Sequence, residues 1–133
     1  MSVAMFVAVG AGGALGAMTR YAVAQVVGGG IFGVAGPMAT LIVNVAGSMM
    51  MGALAGGIAT GLMLPEAWRG FIAVGFLGAL TTFSSFALDT GHLAARQGAP
   101  MAAVYVCLSV CLSLAVFFAT QALVTGLIAR TSG

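Results

Sequence analysis

The chain has 133 residues, of which 62% are hydrophobic and 5% are charged, and its mean hydropathy is +1.20. A soluble globular domain carries about 25% charged residues, so four arginines, two acids and no lysine cannot cover a water-facing surface. A lipid-facing surface needs almost no charge. These numbers exclude a soluble domain, and the lack of a basic cluster excludes a nucleic-acid-binding protein.

Four apolar runs follow one another along the chain, and each is long enough for a spanning helix, which takes roughly 20 apolar residues. Glycine- and proline-containing turn signals separate these runs. The N-terminus lacks the basic stretch of a signal peptide, so we expect the first run to be retained as a helix. The sequence predicts an all-α membrane protein with a single transmembrane domain. The predicted helices span residues 3–27, 38–62, 67–95 and 101–128 of the domain 1–133.

The four arginines do not set an orientation in the membrane. If the N-terminus faces the cytoplasm, Arg69 and Arg130 lie inside, while Arg20 and Arg96 lie outside. Orientation normally follows an excess of Lys and Arg on the cytoplasmic side, and this chain has no excess. Two interpretations stay open. Either the chain inserts both ways up and pairs antiparallel with itself, or one or two arginines, Arg20 among them, are buried and do not count.

Polar residues recur every four positions on the second and fourth helices, so each set shares one helix face. These residues are Thr40, Asn44 and Ser48 on the second helix, and Tyr105, Ser109 and Ser113 on the fourth. Either set can line a polar pathway. The alternative for the second helix is a polar clasp to a neighbouring helix. The alternative for the fourth is bonding of the hydroxyls to carbonyls of their own helix, which is the commoner use.

The third helix is the least regular of the four. Gly75 and Gly78 weaken it, and the hydroxyl residues of TTFSSF at 81–86 compete for backbone hydrogen bonds. We therefore predict a break at mid-membrane, with carbonyl oxygens that suit a cation and N–H groups that suit an anion. Phe83 and Phe86 are three residues apart and point the same way. They either pack or present positively polarised ring edges to a small anion.

Asp89 is the one acid that a proton-coupled mechanism could use within these spans. An exporter of organic cations exchanges protons for substrate at a buried acid, and the first helix has no acid. Asp89 lies near the end of the third helix, close in sequence to Thr90, His92 and Arg96. We expect it to form a surface or interfacial pair rather than a proton relay.

Four stretches in chain order form a recognisable pattern. They are GGALGAMTRY at 12–21, TLIVNVAGS at 40–48, GFLGALTTFSSF at 75–86, and the set Tyr105, Ser109 and Ser113. Together they resemble the CrcB/Fluc family of fluoride channels, and the third stretch is the most specific. The chain departs from the family pattern at Ala39, Ala79 and Ser85, where Gly, Gly and Thr are usual. Each departure exchanges one small residue for another.

The resemblance implies a channel, not an enzyme, that lets fluoride leave the cytoplasm passively across the cell inner membrane. It implies an antiparallel, dual-topology homodimer with two pores. The positions that match the family's pore are Asn44, Phe83, Phe86, Tyr105, Ser109 and Ser113. Arg20 matches an arginine expected near an aqueous vestibule. The resemblance also implies a structural Na⁺ at the dimer centre, held by backbone carbonyls of Gly78 and Thr81.

Two other classes of protein share some of these features. A small proton-coupled multidrug transporter has a similar size, four helices and dual topology, but the missing acid in the first helix argues against it. A structural membrane subunit without transport would not need phenylalanines and hydroxyls around a helix break. The sequence therefore favours the channel.

Overall fold

The computed structural model describes residues 2–28 and 35–131 and contains four helical spans long and apolar enough to cross a membrane. The first and second are α1 (Val3–Gly28) and α2 (Ala35–Ala59), and the fourth is α6 (Ala99–Thr131). The third, Glu66–Gln97, is interrupted. Its parts are α3 (Glu66–Arg69), a π-helix (Gly70–Leu77), α4 (Gly78–Leu80) and α5 (Phe83–Gln97). The predicted four-span architecture with an interrupted third helix is confirmed.

Two prolines that read as turn signals lie inside helices. Pro37 falls in the first turn of α2, which begins at Ala35, three residues before the predicted start. Pro100 likewise falls in the first turn of α6. Proline is tolerated there because the N–H that it lacks would have no partner within the helix. The predicted turn residues 29–30 lie outside the described residues.

Two glycines with a left-handed backbone conformation lie just after the ends of helices. Gly61 has φ +95° and follows the end of α2, which stops at Ala59 instead of the predicted residue 62. Gly98 has φ +91° and separates α5 from α6. Residues with a Cβ rarely adopt this conformation, so both positions end a helix abruptly.

Helix α2 is central, because it contacts α1, α5 and α6, while α1 also packs along the first half of the third span. Glycines bring the backbones close. A Cβ at Gly52 of α2 would collide with the carbonyl oxygen of Phe117 on α6, and one at Gly56 would lie 2.8 Å from the carbonyl oxygen of Gln121. These contacts lie within one chain, so this small-residue face serves packing of the protomer.

The buried core is small and divided. One cluster, Val43, Leu77 and Leu80, joins α2 to the end of the first half of the third span. The other, Leu93, Ala102 and Tyr105, joins α5 to α6. The two clusters lie on either side of the break between α4 and α5, so packing fixes the half-helices separately. Large apolar side chains elsewhere on the helices are exposed, as lipid contact allows.

We predict that Gly52→Ala destabilises the protein by about 1–3 kcal/mol, because the added methyl group overpacks the α2–α6 contact. Thermal unfolding in detergent measures the effect. The matched control is Gly126→Ala on α6, where a Cβ would meet nothing within 4 Å. Equal stability of the two variants would contradict the close packing of α2 on α6.

Candidate functional site

The third span breaks at two residues with extended backbone. Thr81 has φ −80° and ψ 154°, and Thr82 has φ −152° and ψ 118°. Thr82 is the N-cap of α5, since its hydroxyl accepts a hydrogen bond of 3.1 Å from the backbone N–H of Ser85. The hydroxyl-rich sequence that predicted a break thus also starts the second half-helix.

Asn44 of α2 holds the break with two hydrogen bonds to one residue. Its Nδ2 donates to the Thr82 carbonyl oxygen at 3.1 Å, and its Oδ1 accepts from the Thr82 N–H at 2.8 Å. Both backbone groups of Thr82 are therefore satisfied by a side chain at membrane depth. A primary amide carries two N–H donors, so one donor of Asn44 stays available. The two interpretations of Asn44, a polar clasp to a neighbouring helix and part of a polar pathway, are therefore compatible.

A cleft of about 340 Å³ lies beside the break. It is lined by Asn44 and Ser48 of α2, by Thr81 and Thr82 of the break, by Phe83 and Phe86 of α5, and by Ser109, Val110, Ser113 and Leu114 of α6. The structure thus brings five of the six residues predicted for the pore to one cavity, and the sixth, Tyr105, lies beside it. None of the described residues that line the cleft carries a charge.

Three aromatic rings form a row along this site. The centroids of Phe83 and Phe86 are 5.5 Å apart with ring planes at 48°, and those of Phe86 and Tyr105 are 5.5 Å apart at 36°. The Phe83 side chain is 78% exposed on the single chain, whereas Phe86 is half-buried. The hydrogen-bearing edges of such rings carry partial positive charge, and both Phe83 and Phe86 line the cleft.

Two hydroxyl groups of the fourth span are buried without a partner. Ser109 is 5% exposed and Tyr105 is 8% exposed, and neither hydroxyl has a hydrogen bond within the described chain. The Tyr105 hydroxyl lies near Thr40, Ser109 and Asp89 but lacks hydrogen-bond geometry with any of them. The expectation that α6 hydroxyls bond to their own helix does not hold at Ser109. Buried unpaired hydroxyls are costly, and of these two residues Ser109 lines the cleft.

A larger cavity of about 790 Å³ adjoins the cleft, and Thr82 lines both. Arg20, Tyr21 and Gln25 of α1 line it together with residues of α2 and α5. Arg20 is half-buried there and forms no ion pair with another described residue. The arginine that the resemblance assigns to a vestibule therefore faces an open cavity that leads to the break.

Asp89 is not at the surface, and that part of the sequence prediction is wrong. It is 9% exposed, and its Oδ2 accepts a hydrogen bond of 2.6 Å from the Thr40 hydroxyl. A Cβ at Gly36 would lie 2.8 Å from Asp89 Oδ1, so this glycine makes room for the carboxylate. The partner is 49 residues away in sequence, which is why the neighbours Thr90 and His92 misled the prediction.

The two positions assigned to a cation, Gly78 and Thr81, flank the end of the first half-helix. In a continuous helix the Gly78 carbonyl would accept the Thr82 N–H, but that N–H donates to Asn44 instead. Gly78 is exposed on the surface of the chain. Its carbonyl oxygen is thus left without its helical donor, which is the kind of ligand that a hard cation takes.

We predict that Thr40→Val destabilises the protein by about 1–3 kcal/mol, because the buried Asp89 carboxylate loses its hydrogen-bond donor. Thermal unfolding in detergent measures the loss. Thr90→Val is the matched control, since its hydroxyl bonds only to the Phe86 carbonyl of its own helix. A Thr40→Val variant as stable as the control would mean that Asp89 does not depend on Thr40.

Comparisons with known proteins agree on one family. The family described as CrcB-like protein, Camphor Resistance (CrcB), matches residues 7–121. A relative from Rhodospirillum centenum, named fluoride-specific ion channel FluC, is 47% identical over 121 residues, which are 90% of this chain and 94% of the relative. A relative of the same name from Nitrobacter winogradskyi is 45% identical over 112 residues, or 84% and 88%. The chain belongs to the CrcB family.

Proposed function

We propose that this chain is a fluoride-selective ion channel that exports fluoride passively and so lowers its concentration in the cytoplasm. The observation that carries the proposal is the uncharged cleft at the helix break, with its phenylalanine edges and the unpartnered hydroxyl of Ser109. The relatives named fluoride-specific ion channel support it. The chain is a channel and not an enzyme.

The chemistry of the cleft suits a small, strongly hydrated anion. Hydroxyl groups of Ser109 and Ser113 and the free N–H of Asn44 replace water as donors, and ring edges of Phe83 and Phe86 add weak positive potential. Conduction requires binding that is strong enough for entry and weak enough for release. A full positive charge in the cleft would hold the anion too tightly, and the lining has none.

The functional unit we propose is an antiparallel, dual-topology homodimer with two pores. Arg69 and Arg130 lie toward one end of the bundle and Arg20 and Arg96 toward the other, so neither orientation is favoured. Broken backbone at membrane depth needs cover by protein or water, and Gly78 beside the break is exposed on one chain. A second copy supplies that cover.

A structural Na⁺ at the centre of this dimer belongs to the proposal. The carbonyl oxygens of Gly78 and Thr81 would hold it, with the matching pair from the second copy. The fit rests on the Gly78 carbonyl, whose helical donor is diverted to Asn44. The cation would supply a fixed positive charge where two half-helices end with their negative dipole ends.

The protein is a multi-pass membrane protein, and we propose the cell inner membrane as its location, since a channel there connects the cytoplasm to the outside. Proton-coupled drug export and a purely structural role are less well supported. The family membership argues against both, and Asp89, the buried acid of the third span, accepts a hydrogen bond from Thr40.

We predict rapid fluoride efflux, with little chloride efflux, from liposomes that contain the purified protein, measured with ion-selective electrodes. Replacing both Phe83 and Phe86 by Ile removes the polarised ring edges while keeping apolar bulk. The double variant should lower the fluoride rate by about tenfold or more, the effect of about 1.4 kcal/mol in barrier height.

Phe6→Ile serves as the matched control, because Phe6 is an exposed phenylalanine on α1, away from the cleft. Size-exclusion chromatography establishes that each variant is folded and assembled to the same extent as wild type. Efflux from the double variant at the wild-type rate would remove Phe83 and Phe86 from the pathway. No fluoride efflux from folded wild-type protein would refute the channel itself.

We predict that fluoride efflux depends on Na⁺ even though Na⁺ does not cross the membrane with it. Exchanging all Na⁺ for N-methyl-D-glucamine should lower the fluoride rate, and returning Na⁺ should restore it, because the carbonyl ligands repel one another without the cation. K⁺ at the same concentration is the control cation. An unchanged rate after exhaustive exchange would contradict a functional Na⁺ site.

A further inference from the structure

The first half of the third span is wound more loosely than an α-helix. Over Gly70–Leu77 the backbone is π-helical, so residue i is bonded to residue i+5 instead of i+4. Around an α-helix, residues five apart are separated by about 140°, because each residue turns the chain by about 100°. In a π-helix each residue turns the chain by a smaller angle, so residues five apart lie closer to a common face.

The buried face of this segment follows the five-residue repeat. Gly70 and Gly75 are both buried, and both face α1. A Cβ at Gly70 would lie 2.5 Å from the sulfur of Met5, and a Cβ at Gly75 would lie 2.6 Å from the carbonyl oxygen of Val9. With α-helical winding, these two glycines would lie about 140° apart around the helix axis.

Two glycines of α1 contact the backbone of the π-helix. A Cβ at Gly12 would collide with the carbonyl oxygen of Phe71 and the nitrogen of Phe76, the two groups that the π-helical pattern pairs. A Cβ at Gly16 would collide with the carbonyl oxygen of Phe76. At Gly12 and Gly16 the backbone of α1 therefore rests directly on the backbone of the π-helix.

We infer that Gly12 and Gly16 are positioning residues. Because they hold the π-helix directly against α1, they fix the rotation of the helix break and place Thr82 within hydrogen-bond distance of Asn44. Only the three residues of α4 lie between the π-helix and Thr81. A rotation of the π-helix about its axis would therefore also rotate the break. A rotation of about 100° per residue would carry Thr82 away from Asn44 and break both hydrogen bonds.

This inference rests on the proposed function only for its effect on conduction, and it has a readout of its own. The Thr82 N–H donates a hydrogen bond to Asn44, which slows its exchange with solvent. Hydrogen–deuterium exchange of peptides that cover 78–86 therefore reports whether the break keeps this hydrogen bond. Fluoride efflux from liposomes reports the consequence for the pathway. The first readout is valid whether or not the protein conducts fluoride.

The first test adds one residue between the π-helix and the break. Inserting one alanine after Ala79 leaves the contact of the π-helix with α1 in place but turns the break by about 100° relative to it. We expect Thr82 exchange to rise by about tenfold, since native protection there reports a local opening equilibrium, and fluoride efflux to fall. Val74→Ala, at a position that is 61% exposed and with unchanged chain length, is the control.

The second test keeps the chain length and works if the insertion variant does not fold. Gly16→Ala pushes Phe76 away, whereas Gly10→Ala on the same helix places its methyl group where nothing lies within 4 Å. We expect faster Thr82 exchange and lower efflux in the first variant and neither in the second. Wild-type exchange at Thr82 in folded Gly16→Ala or insertion protein would overturn the inference. Wild-type protein with protected Thr82 but no efflux would overturn the proposed function alone.

Discussion

The pair of hydrogen bonds between Asn44 and Thr82 is the constraint on which the rest of the site depends. A membrane offers no water to backbone groups, so a helix interrupted at mid-depth must find its partners inside the protein. One amide side chain supplies both partners of Thr82. The same bonds deprive the Gly78 carbonyl of its helical donor and fix the start of α5, which carries Phe83. The unpaired Gly78 carbonyl, the start of α5 and the position of the cleft all follow from one side chain.

Charge is distributed unevenly between the two cavities that meet at Thr82. The larger one contains Arg20 and Asp89, while the residues that line the cleft have no charge. The acid is compatible with an anion route because its charge is offset locally. It accepts the Thr40 hydroxyl and lies against Gly36 in the first turn of α2, where the positive end of the helix dipole favours a carboxylate. In the proposed channel, Arg20 would attract anions to the larger cavity, and the neutral donors of the cleft would bind them weakly enough for release.

Hydropathy and composition predicted the four spans and the break, because the membrane imposes length and apolarity on the sequence itself. The residues at 81–86 predicted the break because their hydroxyl groups compete for backbone hydrogen bonds. The partner of Asp89 could not be predicted, since Thr40 is 49 residues away and their contact depends on how α2 packs on α5. The π-helix also escaped prediction. The role of Gly70 and Gly75 in packing can be recognised only once α1 is known to lie against them.

The irregular parts of the third span depend on each other in a fixed order. α1 can approach the π-helix closely because Gly12 and Gly16 present no side chains, and the π-helix allows the contact to repeat every five residues. Three residues of α4 then transmit that rotation to Thr82, where Asn44 completes the bonding of the break. A regular α-helix would satisfy its own backbone but would offer neither free carbonyls nor a helix start at mid-membrane. The departures from regular winding are therefore what makes an uncharged ion site possible at this depth.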